Sequence, residues 1–218
     1  MDIISRGIGI KKFVPEIIHL NFDFRIKSFT YENALSEGVK AVETFAKLLE
    51  KLGYKKSDFK TNSFRVYEET KYDAKKKEDV RLGYIYNHDA HLEFDYDIAR
   101  LADLVQEISK LKDGPRANIT FRLKNEDGAK SKCIDLAFKN AKSKAEAIAK
   151  SAGKKLKDCI KVSYEPFDEP IQSRSNFEGL RKMGAYCEDN ALRGSIENVL
   201  VPEDIEIEEV LYCLFVAE

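Results

Sequence analysis

The sequence predicts an α+β fold: a mainly antiparallel sheet with three main helices packed on one face. Two patterns carry the prediction. Apolar and charged residues alternate through strand-length stretches, giving each strand one side for a core and one for water. Between those stretches, apolar residues recur at helical spacing behind capping residues.

A first strand is expected at 3–14, where Gly7 and Gly9 ease close approach of another backbone. Pro15 separates it from a second at 17–29. There Ile18, Leu20, Phe22, Phe24 and Ile26 alternate with His19, Asn21, Asp23, Arg25 and Lys27. Thr30 then offers a helix N-cap, Leu35, Val39, Val42, Ala46 and Leu49 follow at helical spacing, and Gly53 is the stop. Strands at about 59–72 and 80–95 come next, joined by a lysine-rich turn. In the second of these, Ala90, Leu92 and Phe94 face one way, while Asp89, His91, Glu93 and Asp95 face the other.

Asp97 caps a helix holding Ile98, Leu101, Val105 and Ile108, which ends before Gly114 and Pro115. A short strand containing Ile119, Phe121 and Leu123 leads into a helix at about 127–152 and a strand near 158–165. The 166–202 segment is punctuated by Pro166, Pro170, Gly179, Gly184, Gly194 and Pro202. It reads as a loop or functional insertion, with room for a short helix at 176–183. An apolar strand from about 205 to 216 closes the chain. The expected order is ββαββαβαβ up to about 165, with that closing strand after it.

The helix at 127–152 carries Ala129, Cys133, Ala137, Ala141, Ala145, Ala149 and then Gly153 at every fourth position. Small side chains along such a row form a low ridge that lets a helix lie close to its neighbour. The row drifts about 40° per step on a 3.6-residue helix. Leu136, Ile148 and Ala152 are therefore expected to complete the buried surface.

At 43% hydrophobic and 34% charged, the composition is that of a globular protein and too apolar for disorder. No apolar run reaches the roughly 18–20 residues that span a bilayer. The opening residues lack a secretory pattern, and Cys133, Cys159, Cys187 and Cys213 form no CxxC or CxxH. Free thiols in the cytoplasm are the natural expectation. Charge is uneven: 11 lysines stand against five acids from Lys124 to Lys161, and 13 acids against four basic residues from Glu165 to Glu218.

Signs of chemistry are few. On a strand, His88 and His91 point to opposite faces and cannot chelate one ion without a bulge. His19 and His91 share the exposed face only if their strands are neighbours. No G-x-S-x-G or P-loop occurs, and Gly7-x-Gly9 lacks the later glycine of a dinucleotide fingerprint. No catalytic, cofactor-binding or metal-binding residue is assigned, and no cofactor is expected. The candidate interaction surface is Lys132, Lys139, Lys142 and Lys150 on the helix, with Tyr186, Glu188 and Asp189 in the loop. Asp135 and Glu146 interrupt the lysines and the helix has no arginine, which argues against nucleic acid.

In order along the chain, four pieces resemble the SIMPL domain family. Gly7-x-Gly9 followed by Pro15-Glu16 is similar to its opening G-x-G…P-[DE]. Leu52-Gly53-Tyr54…Asp58-x-Lys60-Thr61-Asn62-Ser63-Phe64 is similar to its helix end and next strand. Gly83-Tyr84…Asn87 through Asp95 is similar to its G-Y-x-A-x-N strand, with His88 for the usual Asn. Ala137…Ala141…Lys144-Ala145…Ala149…Gly153…Leu156 resembles its Ala-rich helix and closing turn.

The resemblance covers about 7–165 and resumes near 200–216, within a single domain of 1–218; the 166–199 segment has no matched counterpart. It implies an α+β domain, often oligomeric, without established catalytic residues. Many bacterial relatives look exported and some assemble into hollow rings.

The functional expectation is a cytoplasmic, non-enzymatic protein acting through self-association or protein binding, with no membrane contact. A homo-oligomer is expected, in which the acidic 166–218 region meets the basic helix of a neighbouring subunit. The alternatives are an enzyme or small-ligand protein with Tyr186, Cys187, Glu188 and Asp189 lining a site beneath 166–202, and nucleic-acid binding through the lysines of 129–152.

Overall fold

A computed structural model describes residues 1–74, 77–112, 114–167 and 201–218. In chain order the elements are β1 (Asp2–Phe13), β2 (Ile17–Ser28), α1 (Tyr31–Lys51), β3 (Phe59–Asp73), β4 (Glu78–Asp95), α2 (Ile98–Ile108), β5 (Arg116–Arg122), α3 (Glu126–Ser151), β6 (Leu156–Ser163) and β7 (Ile205–Ala217). The α+β class, the three helices and the antiparallel pairing are as the sequence predicts. All seven strands expected from the sequence form, so the full order is ββαββαβαββ, and among the described residues they make up two sheets where one was expected: β1-β7-β6 and β3-β4-β2-β5. No helix among the described residues is long and apolar enough to cross a membrane.

Side-chain size explains the division. β1 and β2 are consecutive, yet β1 pairs with β7 while β2 lies between β4 and β5. The core side of β1 carries Ile3, Ser5, Gly7 and Gly9, a nearly flat surface. The core side of β2 carries Ile18, Leu20, Phe22 and Phe24, which need deep partners. The chain accordingly forms two compact units, one holding β1, α3, β6 and β7, the other β2 to β5 with α1 and α2.

In the first unit, α3 lies directly on the glycines of β1. A Cβ built on Gly7 would stand 1.9 Å from the Ala137 carbonyl oxygen, and one on Gly9 1.9 Å from that of Cys133. Ser5 Oγ donates to the Ala141 carbonyl at 2.9 Å. Ala129, Cys133, Ala137, Ala141, Ala145 and Ala149 are all buried. Leu136 and Ile148 do not complete that surface: they are 39% and 45% exposed, and Ala152 is exposed as well. Ile134 and Phe138 pack beside the row instead. An i+4 row is inclined to the helix axis, and a twisted sheet follows such an incline, so the small residues stay in contact throughout. Asn140 Oδ1 accepts the Ile8 N–H, and Lys144 Nζ donates to the Arg6 carbonyl, covering part of the free edge of β1.

In the second unit, α1 and α2 cover the apolar face of the four-stranded sheet around Phe45. Thr30 caps α1 by accepting from the Asn33 N–H, and Asp97 caps α2 by accepting from the Arg100 N–H. Gly53, at φ 81°, supplies the left-handed turn after α1. Phe45 meets Phe22, Phe24 and Phe59 edge-on or nearly so, with ring centroids 4.8, 5.4 and 5.5 Å away.

Candidate functional site

Among the described residues, each sheet has one face covered by helix and one that is not, and the two uncovered faces differ in chemistry. On the four-stranded sheet, register places His19 of β2 opposite Glu93 of β4 and Thr120 of β5, with Asn21 opposite His91. The strands of His19 and His91 are therefore neighbours. Their rings stack with centroids 5.6 Å apart.

His19 is buried among the polar groups of this face. Its Nδ1–H donates to Glu93 Oε1 at 2.6 Å, and its Nε2 lies 3.1 Å from Asn21 Oδ1. Arg122 donates to the same Glu93 oxygen at 3.2 Å, and His91 Nδ1–H donates to Asn62 Oδ1. Desolvation lowers the pKa of His91, and the neighbouring His19 charge adds to the shift. Desolvation alone would raise the Glu93 pKa, but the hydrogen bond and charge of His19, with Arg122, bring it below the ordinary value.

Further along, Asn87 Nδ2 donates to Asp23 at 2.7 Å and Asn87 Oδ1 accepts from Arg65 Nε at 3.1 Å, while Ser63 Oγ donates to Asp89 at 2.6 Å. The polar groups answer one another across the strands. Among the described residues, no group of three His, Cys, Asp or Glu could hold a metal ion.

His88 points the other way, into the core, as strand parity requires. It is 8% exposed; Thr61 Oγ1 lies 2.9 Å from its Nε2 and Tyr86 Oη 3.0 Å from its Nδ1. Desolvation lowers its pKa below the ordinary 6.5. An unfolded chain takes up a proton there near pH 6.5 that the folded chain does not. Stability contributed by neutral His88 is thus present above that pH and lost as acid is added. His88→Asn, which removes the titrating ring, should flatten the fall in urea midpoint between about pH 6.5 and 5, where one such group contributes a slope of at most about 1.4 kcal/mol per pH unit. An unchanged slope would contradict this account of His88.

The uncovered face of the three-stranded sheet is apolar. Its apolar residues are Ile4, Ile8 and Ile10 from β1 and Val210, Leu214 and Val216 from β7, set around the Arg6–Tyr212 pair, with Ile4 opposite Leu214 and Ile8 opposite Val210. Ile4 is 49% and Ile10 51% exposed. From Val210 to Ala217, β7 is apolar on both faces, which is how a strand reads when both faces are covered. The contrast with β2, where His19, Asn21, Asp23, Arg25 and Lys27 occupy the uncovered side, lies within one chain. Sequence reasoning assigned no function to this face. The signal was the unbroken run in β7, longer than one-sided burial requires.

The model for the family described as SIMPL, protein of unknown function (DUF541), matches residues 3–208. The chain belongs to the SIMPL family. A search of curated proteins found no match. The SIMPL match runs through both compact units.

Of the expected surface of this SIMPL chain, Lys132, Lys139, Lys142 and Lys150 are exposed on α3. Lys132, Lys139 and Lys150 fall about two and about three turns apart on one stripe, with Lys142 beside it. Asp135 and Glu146 lie within the stripe, and Lys132 also sits over the Phe13 ring at 5.9 Å. Tyr186, Cys187, Glu188 and Asp189 lie outside the described residues, as does the helix expected at 176–183. In the acidic stretch, Glu206 pairs with Lys12 of the same chain at 3.9 Å.

Proposed function

We propose that this SIMPL chain works by binding protein rather than by catalysis, through the uncovered apolar face of β1 and β7. The observation that carries the reading is the contrast between the two sheets. On the helix-free side of β2 and β4 this sequence places polar and charged groups that answer one another across the strands. On β1 and β7 it places isoleucine, valine and leucine, whose exposure to water is unfavourable by about 25 cal/mol per Å².

The thiols favour the same reading. Cys213 is pushed up to about 11 by burial, with Cys159 beside it adding to the shift, so it stays a protonated, unreactive thiol at neutral pH. Cys133, Cys159 and Cys213 are free, which suits the reducing cytoplasm.

A dye that fluoresces on apolar surfaces tests the proposal. At roughly 1 µM protein, a concentration that disfavours modest-affinity complexes, wild type should bind it. Ile4→Lys and Ile10→Lys should each lose most of the signal. Dye binding that neither variant changes would overturn this assignment of the face.

A further inference from the structure

The helix-free face of the four-stranded sheet holds a pair of imidazoles that protein binding through β1 and β7 does not use. His19 opposes Glu93 and Asn21 opposes His91, so the two rings are diagonal neighbours on one side of β2 and β4. In each ring Nδ1–H is committed to an outer oxygen, Glu93 Oε1 for His19 and Asn62 Oδ1 for His91. A neutral imidazole has one N–H, so Nε2 carries the lone pair in both. An acceptor behind Nδ1 and a lone pair at Nε2 is how a metal-binding histidine is held.

Asn21 adds a second observation. Its Oδ1 lies 3.1 Å from His19 Nε2, which sets an oxygen lone pair against a nitrogen lone pair unless a cation lies between them. An ion about 2.1 Å from each atom would see them about 95° apart, near the right angle of tetragonal and octahedral sites. The His91 ring is within reach of the same ion, since its centroid is 5.6 Å from that of His19. Two imidazoles sharing an ion through nitrogen have centroids up to about 6.4 Å apart. Asn21 and His91 are partly exposed, which gives an ion a way in, while His19 is nearly closed to water.

We propose that His19 Nε2, His91 Nε2 and Asn21 Oδ1 form a binding site for a divalent transition-metal ion, with Glu93 and Asn62 orienting the two imidazoles. Among the described residues no trio of His, Cys, Asp or Glu could hold an ion, so the third ligand is an amide oxygen and water completes the shell. All three ligands are neutral, and the charge of Glu93 is answered by Arg122 at 3.2 Å. Lys60, opposite His91, adds a positive charge nearby. Hard cations such as Ca2+ and Mg2+ depend on carboxylates and are not retained. Imidazole favours Ni2+, Cu2+ and Zn2+.

Equilibrium dialysis of the full chain against Ni2+ alone at pH 8 tests the site, because ordinary imidazoles, with pKa about 6.5, are neutral there. Wild type should bind one ion with Kd below about 100 µM, and Ca2+ or Mg2+ should not displace it. His91→Gln and Asn21→Leu, both at partly exposed positions, should each weaken binding at least about ten-fold with circular dichroism unchanged. Asn62→Ala changes no charge and no ligand, yet should weaken it about 10–100-fold by releasing the His91 ring. Asn21→Asp, which puts a carboxylate in place of the amide, should tighten it. Two-bond 1H–15N spectra at pH 8 give a readout independent of affinity: both rings should carry their proton on Nδ1, and Zn2+ should shift both Nε2 resonances.

No Ni2+ bound up to about 1 mM, or binding that survives in both His91→Gln and Asn21→Leu, would overturn the site. So would spectra showing a proton on Nε2 of either ring at pH 8, since the proton then stands where the ion is placed.

Discussion

Gly7→Ala is expected to destabilise the β1–α3 layer by about 3 kcal/mol or more, a large share of the roughly 5–15 kcal/mol that holds a typical domain folded. The added methyl would stand 1.9 Å from the Ala137 carbonyl oxygen and 2.8 Å from the Ala141 Cβ. Ordinary overpacking costs about 1–3 kcal/mol because side chains can yield. Here the obstacle is the backbone of a 26-residue helix, and β1 is held along its length by β7. Urea unfolding followed by hydrogen exchange at β1, β7 and α3 would measure the loss. Gly53→Ala is the informative comparison, since nothing lies within 4 Å of its Cβ and only its φ of 81° opposes the change; about 1 kcal/mol is expected. Equal effects at the two positions would contradict the close contact of α3 with β1.

Phe45→Ala should cost about 3–5 kcal/mol in the other unit. Phe45 is fully buried and meets three further phenylalanines, so its removal leaves a cavity lined by rings that cannot readily collapse. Phe45→Leu keeps most of the volume and should recover more than half of the loss. The readouts are the urea midpoint and the hydrogen-exchange protection of α1, β2 and β4. A wild-type midpoint for Phe45→Ala would mean that this aromatic cluster does not anchor α1 to the sheet.

Much of the fold was legible because its signals are local. Thr30, Asp97 and Gly53 mark helix ends through bonds and dihedral angles spanning a few residues, and they stand where the sequence places them. Alternation in β2 and the inward parity of His88 follow from the period of a strand. The every-fourth-residue row of α3 identified its buried ridge.

Other features depend on distant residues. The expected burial of Leu136 and Ile148 assumed a flat partner beneath α3, whereas a twisted sheet keeps the alanine row in contact and leaves both exposed. The candidate site was less legible than the fold. Lysines invite notice in a sequence, while Ile4, Ile10 and Leu214 look like any core residues until the sheet shows that α3 covers the other side.

By itself, the sequence determined the α+β class, the caps, the strand parities and the SIMPL resemblance, because composition, spacing and short-range bonding suffice for each. Tertiary structure decided that β1 pairs with β7, that His19 stacks on His91, and that one uncovered face is polar and the other apolar. Those outcomes turn on register between strands far apart in sequence, and on the glycine side of β1 being flat enough to accept a helix at van der Waals contact.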